Sequence, residues 1–161
     1  MKFGQTQETS RSIVLPHELF VHIYNQGPVV FEQLLMNGDR TLLAKFWDHM
    51  ATTDRIKMHP ISDRDDHRRL CIPIGMHGDG VTVTGVGRYW WKGCDAFNWS
   101  SLLSTGESKI SNFRTFVIFH NLSCSSTDKD TMGTIWRHLR WSFMSLCEGR
   151  WPTEDPYGHP I

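Results

Sequence analysis

The sequence predicts an α+β fold in which a module of short helices precedes a three-stranded antiparallel meander and one long helix. Three observations carry this reading. Apolar residues recur at helical spacing through the first fifty positions, strand-like runs take over between Leu70 and Phe119, and helical spacing returns from Met132 to Leu146. The expected organisation is a helical accessory module over 1–51, a polar linker over 52–69, a strand-and-helix domain over 70–150 and an irregular tail over 151–161. A chain of 161 residues holds one domain with a core and an appendage, not two full domains.

In the first module, Pro16 suits a first helical turn, with Leu19, Phe20 and Ile23 on one face and Asn25-Gln26-Gly27 as the stop. A second helix starts at Pro28 and ends at Asn37-Gly38. A third follows Asp39, a candidate N-cap, through Leu42, Leu43, Phe46, Trp47 and Met50. The stripes of Leu, Phe and Trp are packing surfaces by their spacing. The stretch from Thr52 to Arg69 is polar and mixed in charge, with Pro60 disfavouring helix at His59.

Strand character begins at Leu70, where the apolar run to Met76 is interrupted by Pro73, which cannot donate to a ladder and predicts an edge or a bulge there. His77-Gly78-Asp79-Gly80 follows, then the alternating Val81 to Thr84 and a turn at Gly85-Val86-Gly87. Asp95 to Leu103 and Phe113 to Phe119 read as the next two strands, rich in aromatic and branched residues. The long helix has Ser126 or Thr127 as candidate caps and Gly149 as its left-handed stop. The proline-rich tail from Trp151 is expected to form no element.

Composition excludes several classes. Lys plus Arg and Asp plus Glu both number 17, so no net charge draws the chain to phosphate backbones or acidic membranes. Mean hydropathy is -0.38, and no run reaches the length of a membrane span. Cys71, Cys94, Cys124 and Cys147 are widely spaced without a CxxC pair, and the N-terminus lacks the apolar core of a secretory signal; a reducing, intracellular setting is expected.

Six of the chain's 13 glycines fall between Gly75 and Gly93, which implies tight backbone geometry at a site or a hairpin. Phosphate loops fail on spacing. Val86-Gly87 stands where a P-loop needs Lys-Ser/Thr, and Trp90 takes the third glycine position of a dinucleotide fingerprint. What stands out is Asp79, a strand carboxylate flanked by two glycines that leave a ligand room to approach. Asp63, Asp65, Asp66 and His67 offer metal-ligand types, but Arg64, Arg68 and Arg69 compete for the carboxylates and favour a salt-bridged loop. Cys71, His77 and Cys94 make a zinc site only if a hairpin gathers them. Arg88, Trp90, Trp91 and Lys92 form a basic-aromatic patch able to stack bases and contact phosphate, or a packed Trp pair with solvated charges.

A meander followed by a helix, with an acidic residue on the first strand, is how an RNase H-like fold begins. The segment Ile72-Pro73-Ile74-Gly75-Met76-His77-Gly78-Asp79-Gly80-Val81 resembles the apolar strand and Asp-Gly motif that opens the catalytic core of Plavaka and Kyakuja-Dileera-Zisupton type DDE transposases. The Leu15-Pro16-His17-Glu18, Thr84-Gly85-Val86-Gly87-Arg88 and Trp99-Ser100 segments are similar to transposon-derived reading frames, so the resemblance spans Leu15 to Tyr157. It implies the first half of an RNase H-like domain, Mg2+ or Mn2+ held by Asp79 as metal ligand and catalytic residue, DNA as partner, strand cleavage and transfer as the parent activity, and a nuclear location.

The departure from that family is the rest of the carboxylate set. A DDE enzyme needs a second Asp on a later strand and a Glu on a later helix, whereas here the sequence ends directly after its first long helix, where Asp128, Asp130 and Glu148 match neither position. The expectation is a truncated or decayed transposase fragment, inactive alone. The alternative is a small noncatalytic α+β interaction module with a Trp-rich binding surface. Either predicts self-association through incomplete sheet edges.

Overall fold

The computed structural model describes residues 10, 12–84, 92–126 and 129–161. It is α+β. Helices α1 (Pro16–Asn25), α2 (Pro28–Met36) and α3 (Thr41–Met50) come first, followed by short turns α4 (Asp54–Lys57), a 3-10 turn (Pro60–Asp63) and α5 (His67–Leu70). Strands β1 (Ile74–Thr84) and β2 (Lys92–Ser101), the short helix α6 (Ser108–Ser111) and β3 (Phe113–Phe119) follow. Two-residue strands β4 (Ser125–Ser126) and β5 (Lys129–Asp130) pair antiparallel ahead of α7 (Thr131–Glu148).

Local chemistry accounts for the ends of these helices. Pro16 and Pro28 open α1 and α2, where a missing N–H costs nothing. Asn37 at φ 53° and Gly149 at φ 68° close α2 and α7 in the left-handed conformation. Asp39 caps the start of α3, accepting at Oδ1 from the Thr41 N–H at 2.9 Å and the Thr41 hydroxyl at 2.6 Å; these bonds hold its carboxyl below the usual range. The α7 cap position falls on Asp130, because Ser125 and Ser126 pair with Asp130 and Lys129 before the helix starts; of the two candidate caps, Thr127 lies outside the described residues.

The sheet is an antiparallel meander in the order β1-β2-β3. Opposite Phe97 and Asn98 the register slips, making Thr115 the extra residue of a bulge. The Thr115 carbonyl accepts from the Val14 N–H at 2.9 Å, so the N-terminal segment caps the outer edge of β3.

Two cores hold the layers. Ile23, Phe31, Leu35, Met36, Leu43 and Trp47 pack with Trp99 and Leu103 from the end of β2. Ile56 and Ile61 lie against the same cluster, and Trp47 Nε1 donates to the Cys71 carbonyl at 2.7 Å. The polar stretch over 52–69 is thus wound into short turns that tie helices to sheet. The second core puts Leu139 of α7 on Phe116 and Ile118, with Phe97 and Ile135 beside it. Each such buried side chain contributes about 2 kcal/mol by removal from water.

The first strand differs from expectation. Leu70 ends α5 and β1 starts only at Ile74, since Pro73 has no N–H for the ladder, although its carbonyl accepts from the Leu102 N–H at 2.9 Å. From there β1 runs unbroken through His77-Gly78-Asp79-Gly80, every position from Ile74 to Thr82 paired with β2, and the register shifts only between Thr82 and Thr84.

Candidate functional site

Asp79 sits in the middle of β1, opposite Ala96. Partners across a ladder share a face, so Asp79 and His77 lie with Ala96 and Val117 on the side of the sheet away from α7, while Phe97 and Phe116 face the helix. Residues Met76 to Val81 are all exposed. Among the described residues β1 has no neighbour beyond β2, so Asp79 stands on an open edge strand.

The ladder's phase fixes what that edge presents. The Leu102-to-Pro73 bond marks a hydrogen-bonded position, and such positions alternate along an antiparallel pair. Gly75, His77, Asp79 and Val81 therefore turn their backbone groups toward β2. Ile74, Met76, Gly78 and Gly80 turn theirs outward.

Gly78 and Gly75 are not open space for a ligand. A Cβ on Gly78 would lie 2.6 Å from Cε1 of Phe97, and one on Gly75 would lie 2.7 Å from Cδ2 of Leu102. Side chains of β2 and the residue after it fill the room above the strand, which is why the ladder holds without bulky partners from β1. At Gly75 and Gly78 the missing side chain makes room for packing, whereas a Cβ on Gly80 would lie 3.6 Å from Asp95 Oδ1, an ordinary contact.

No group of three or more His, Cys, Asp or Glu side chains is placed to hold a metal ion among the described residues. Asp79 has His77 two positions away on its own face. Asp95, opposite Gly80, faces the other way, and its Oδ1 is 3.2 Å from His120 Nε2. Cys71 precedes β1 while Cys94 pairs with Val81, so the three candidate zinc ligands are not gathered. Around Asp66 the expected salt-bridged loop is present: Arg64 Nε reaches Asp66 Oδ1 at 3.1 Å, Arg64 Nη1 donates to the Cys147 carbonyl at 3.0 Å, and Arg68 pairs with Asp48. The Arg64 hydrogen bond holds the Asp66 carboxyl low, and burial raises the Cys71 thiol.

Of the basic-aromatic patch, Arg88, Trp90 and Trp91 lie outside the described residues. Lys92 opens β2 opposite Thr84.

One polar pair escaped sequence reasoning. His17, buried in the first turn of α1, donates its backbone N–H to Ser142 Oγ at 3.0 Å, and its Nδ1 is 2.8 Å from the same oxygen. Trp141 and Trp151 meet the ring edge-on. Burial lowers the His17 pKa, with the Glu18 charge pulling weakly the other way. Ser142 is fully buried, so the pair clamps α1 to α7 rather than presenting a nucleophile. Its members lie 125 positions apart, so no local motif announces it.

A groove of about 400 Å³ opens beside this clamp, lined by Trp141, Met144, Glu148, Arg150, Trp151 and Glu154. Trp141 Nε1 donates to the Glu154 carbonyl at 2.7 Å, which fastens the tail over α7. Comparison with known proteins finds no matching family model, no matching curated protein and no matching solved structure.

Proposed function

We propose that this chain is the front part of an RNase H-like catalytic domain of the DDE transposase class, with Asp79 as the first ligand of a Mg2+ or Mn2+ site. The observation that supports this reading is the place of Asp79, exposed at the centre of the edge strand of a β1-β2-β3 meander whose opposite face is packed by the helix after β3. In such chemistry two cations activate the attacking oxygen and stabilise the leaving one, and shared carboxylates hold them. Asp79 supplies one carboxylate. Mg2+ is held by one or two carboxylates together with substrate phosphates, so DNA phosphates and any further carboxylate would complete the site around Asp79. With no net charge, its own grip on DNA is weak.

Thermal denaturation with and without Mg2+ or Mn2+ tests the assignment. Cation raises the melting temperature of the wild-type chain, and Asp79→Asn removes that rise. A wild-type transition indifferent to both cations overturns it.

That indifference is the outcome of the second reading, a noncatalytic interaction module. The groove with its two indoles, Trp141 and Trp151, favours it. In that case Trp151→Ala changes binding and Asp79→Asn changes nothing.

A further inference from the structure

The open edge of β1 is complementary to itself, and we propose that it joins two copies of this chain as an antiparallel pair centred on Gly78. Outward-directed backbone groups belong to Met76, Gly78 and Gly80, so any added strand must bond at these positions. In a two-fold pair centred on Gly78, Met76 bonds with the partner's Gly80 and Gly78 with the partner's Gly78. His77 then lies opposite the partner's Asp79, and Asp79 opposite the partner's His77. These are non-hydrogen-bonded positions, where side chains approach most closely. Each imidazole donates to one carboxylate, giving two such pairs per dimer on the exposed face away from α7.

Other registers with the same backbone phase lose this match. Centring on Asp79 opposes two carboxylates, and centring on His77 opposes two imidazoles. Centring on Gly80 sets Asp79 against Val81, and centring on Met76 sets Asp79 against Pro73, so in neither does the carboxylate meet an imidazole. Hydrogen-bond complementarity between imidazole donor and carboxylate acceptor thus selects one register. Three of the usual protections of an edge strand are missing from Met76 to Val81, which carries no Lys, no Pro and no bulge in its ladder to β2. The glycines let a second backbone approach flat.

The pairing goes beyond the transposase reading. It occupies the edge beside Asp79, so a dimer and a strand added there exclude one another. The two remain separable, because pairing is read as mass and the metal site as response to cation.

Sedimentation velocity of the full chain across the micromolar range tests the proposal, with circular dichroism verifying the fold of each variant. The wild type dimerises. Asp79→Lys and His77→Asp each weaken the dimer about tenfold, because each replaces both cross-strand pairs with a mismatch or a repulsion. The double exchange His77→Asp with Asp79→His recreates both pairs in reversed order and restores the dimer, which a mere loss of folding does not allow. A wild type that stays monomeric, a dimer indifferent to the single substitutions, or a double exchange that fails to restore it overturns the proposal.

Discussion

Gly78 and His17 show how single residues carry the structure. The Phe97 ring rests where a Gly78 side chain would be, so Gly78→Ala forces the ring aside and destabilises the chain by about 1–3 kcal/mol, measured by urea denaturation. Unchanged stability would mean that Phe97 moves freely. For His17 the sign follows from burial. Its folded pKa lies below the unfolded value of 6.5, so the unfolded chain binds more protons as the solution is acidified. The stabilisation is complete above about pH 6.5 and is lost as pH falls beneath it, by at most about 1.4 kcal/mol per pH unit. His17→Asn keeps an acceptor near Ser142 but does not titrate, so stability measured from pH 7 to pH 5 falls less steeply in the variant. Equal slopes contradict the clamp. Neither role is legible in sequence: a glycine just before an Asp-Gly dipeptide reads as part of a turn, and a lone histidine does not reveal a serine far along the chain.

Among elements, legibility followed periodicity. The strand from Phe113 to Phe119 has the ends its aromatic and branched residues predict, and α7 packs the Leu139 face that its spacing marks. Leu139 is 1% exposed at the centre of the sheet-to-helix contact. Leu139→Ala leaves a cavity there and costs about 2–5 kcal/mol, read as a lower denaturation midpoint. β1 was harder to read, because Pro73 and three glycines imitate a loop, while the compensating bulk of Phe97 and Leu102 sits on other segments. The stretch over 52–69 misled for a related reason. Its polar majority hides Ile56 and Ile61, the two apolar contacts that bring it onto the core.

At the scale of the molecule, the helices and the meander share a core through Trp99 and Leu103, and the N-terminal segment reaches across to β3. The protected edge is therefore β3 and the open edge is β1. Asp79 lies on the open one, and that asymmetry underlies both the metal assignment and the pairing of copies. No described helix is long and apolar enough to cross a membrane. The carboxylate was legible in the sequence as an Asp on the first strand. Its edge position, its exposure and its neighbour His77 became visible only with the ladder register, which depends on where β1 begins.

The most direct test of the metal assignment is the amide spectrum of the isotope-labelled chain during a Mn2+ titration, with the Asp79→Asn variant in parallel. Mn2+ held by Asp79 selectively broadens the amide signals of Gly78 to Gly80 and of their ladder partners Asp95 to Phe97, and the variant loses that pattern. Broadening centred on the Asp63 to Asp66 loop, or a wild-type pattern unchanged in Asp79→Asn, would contradict Asp79 as the ligand.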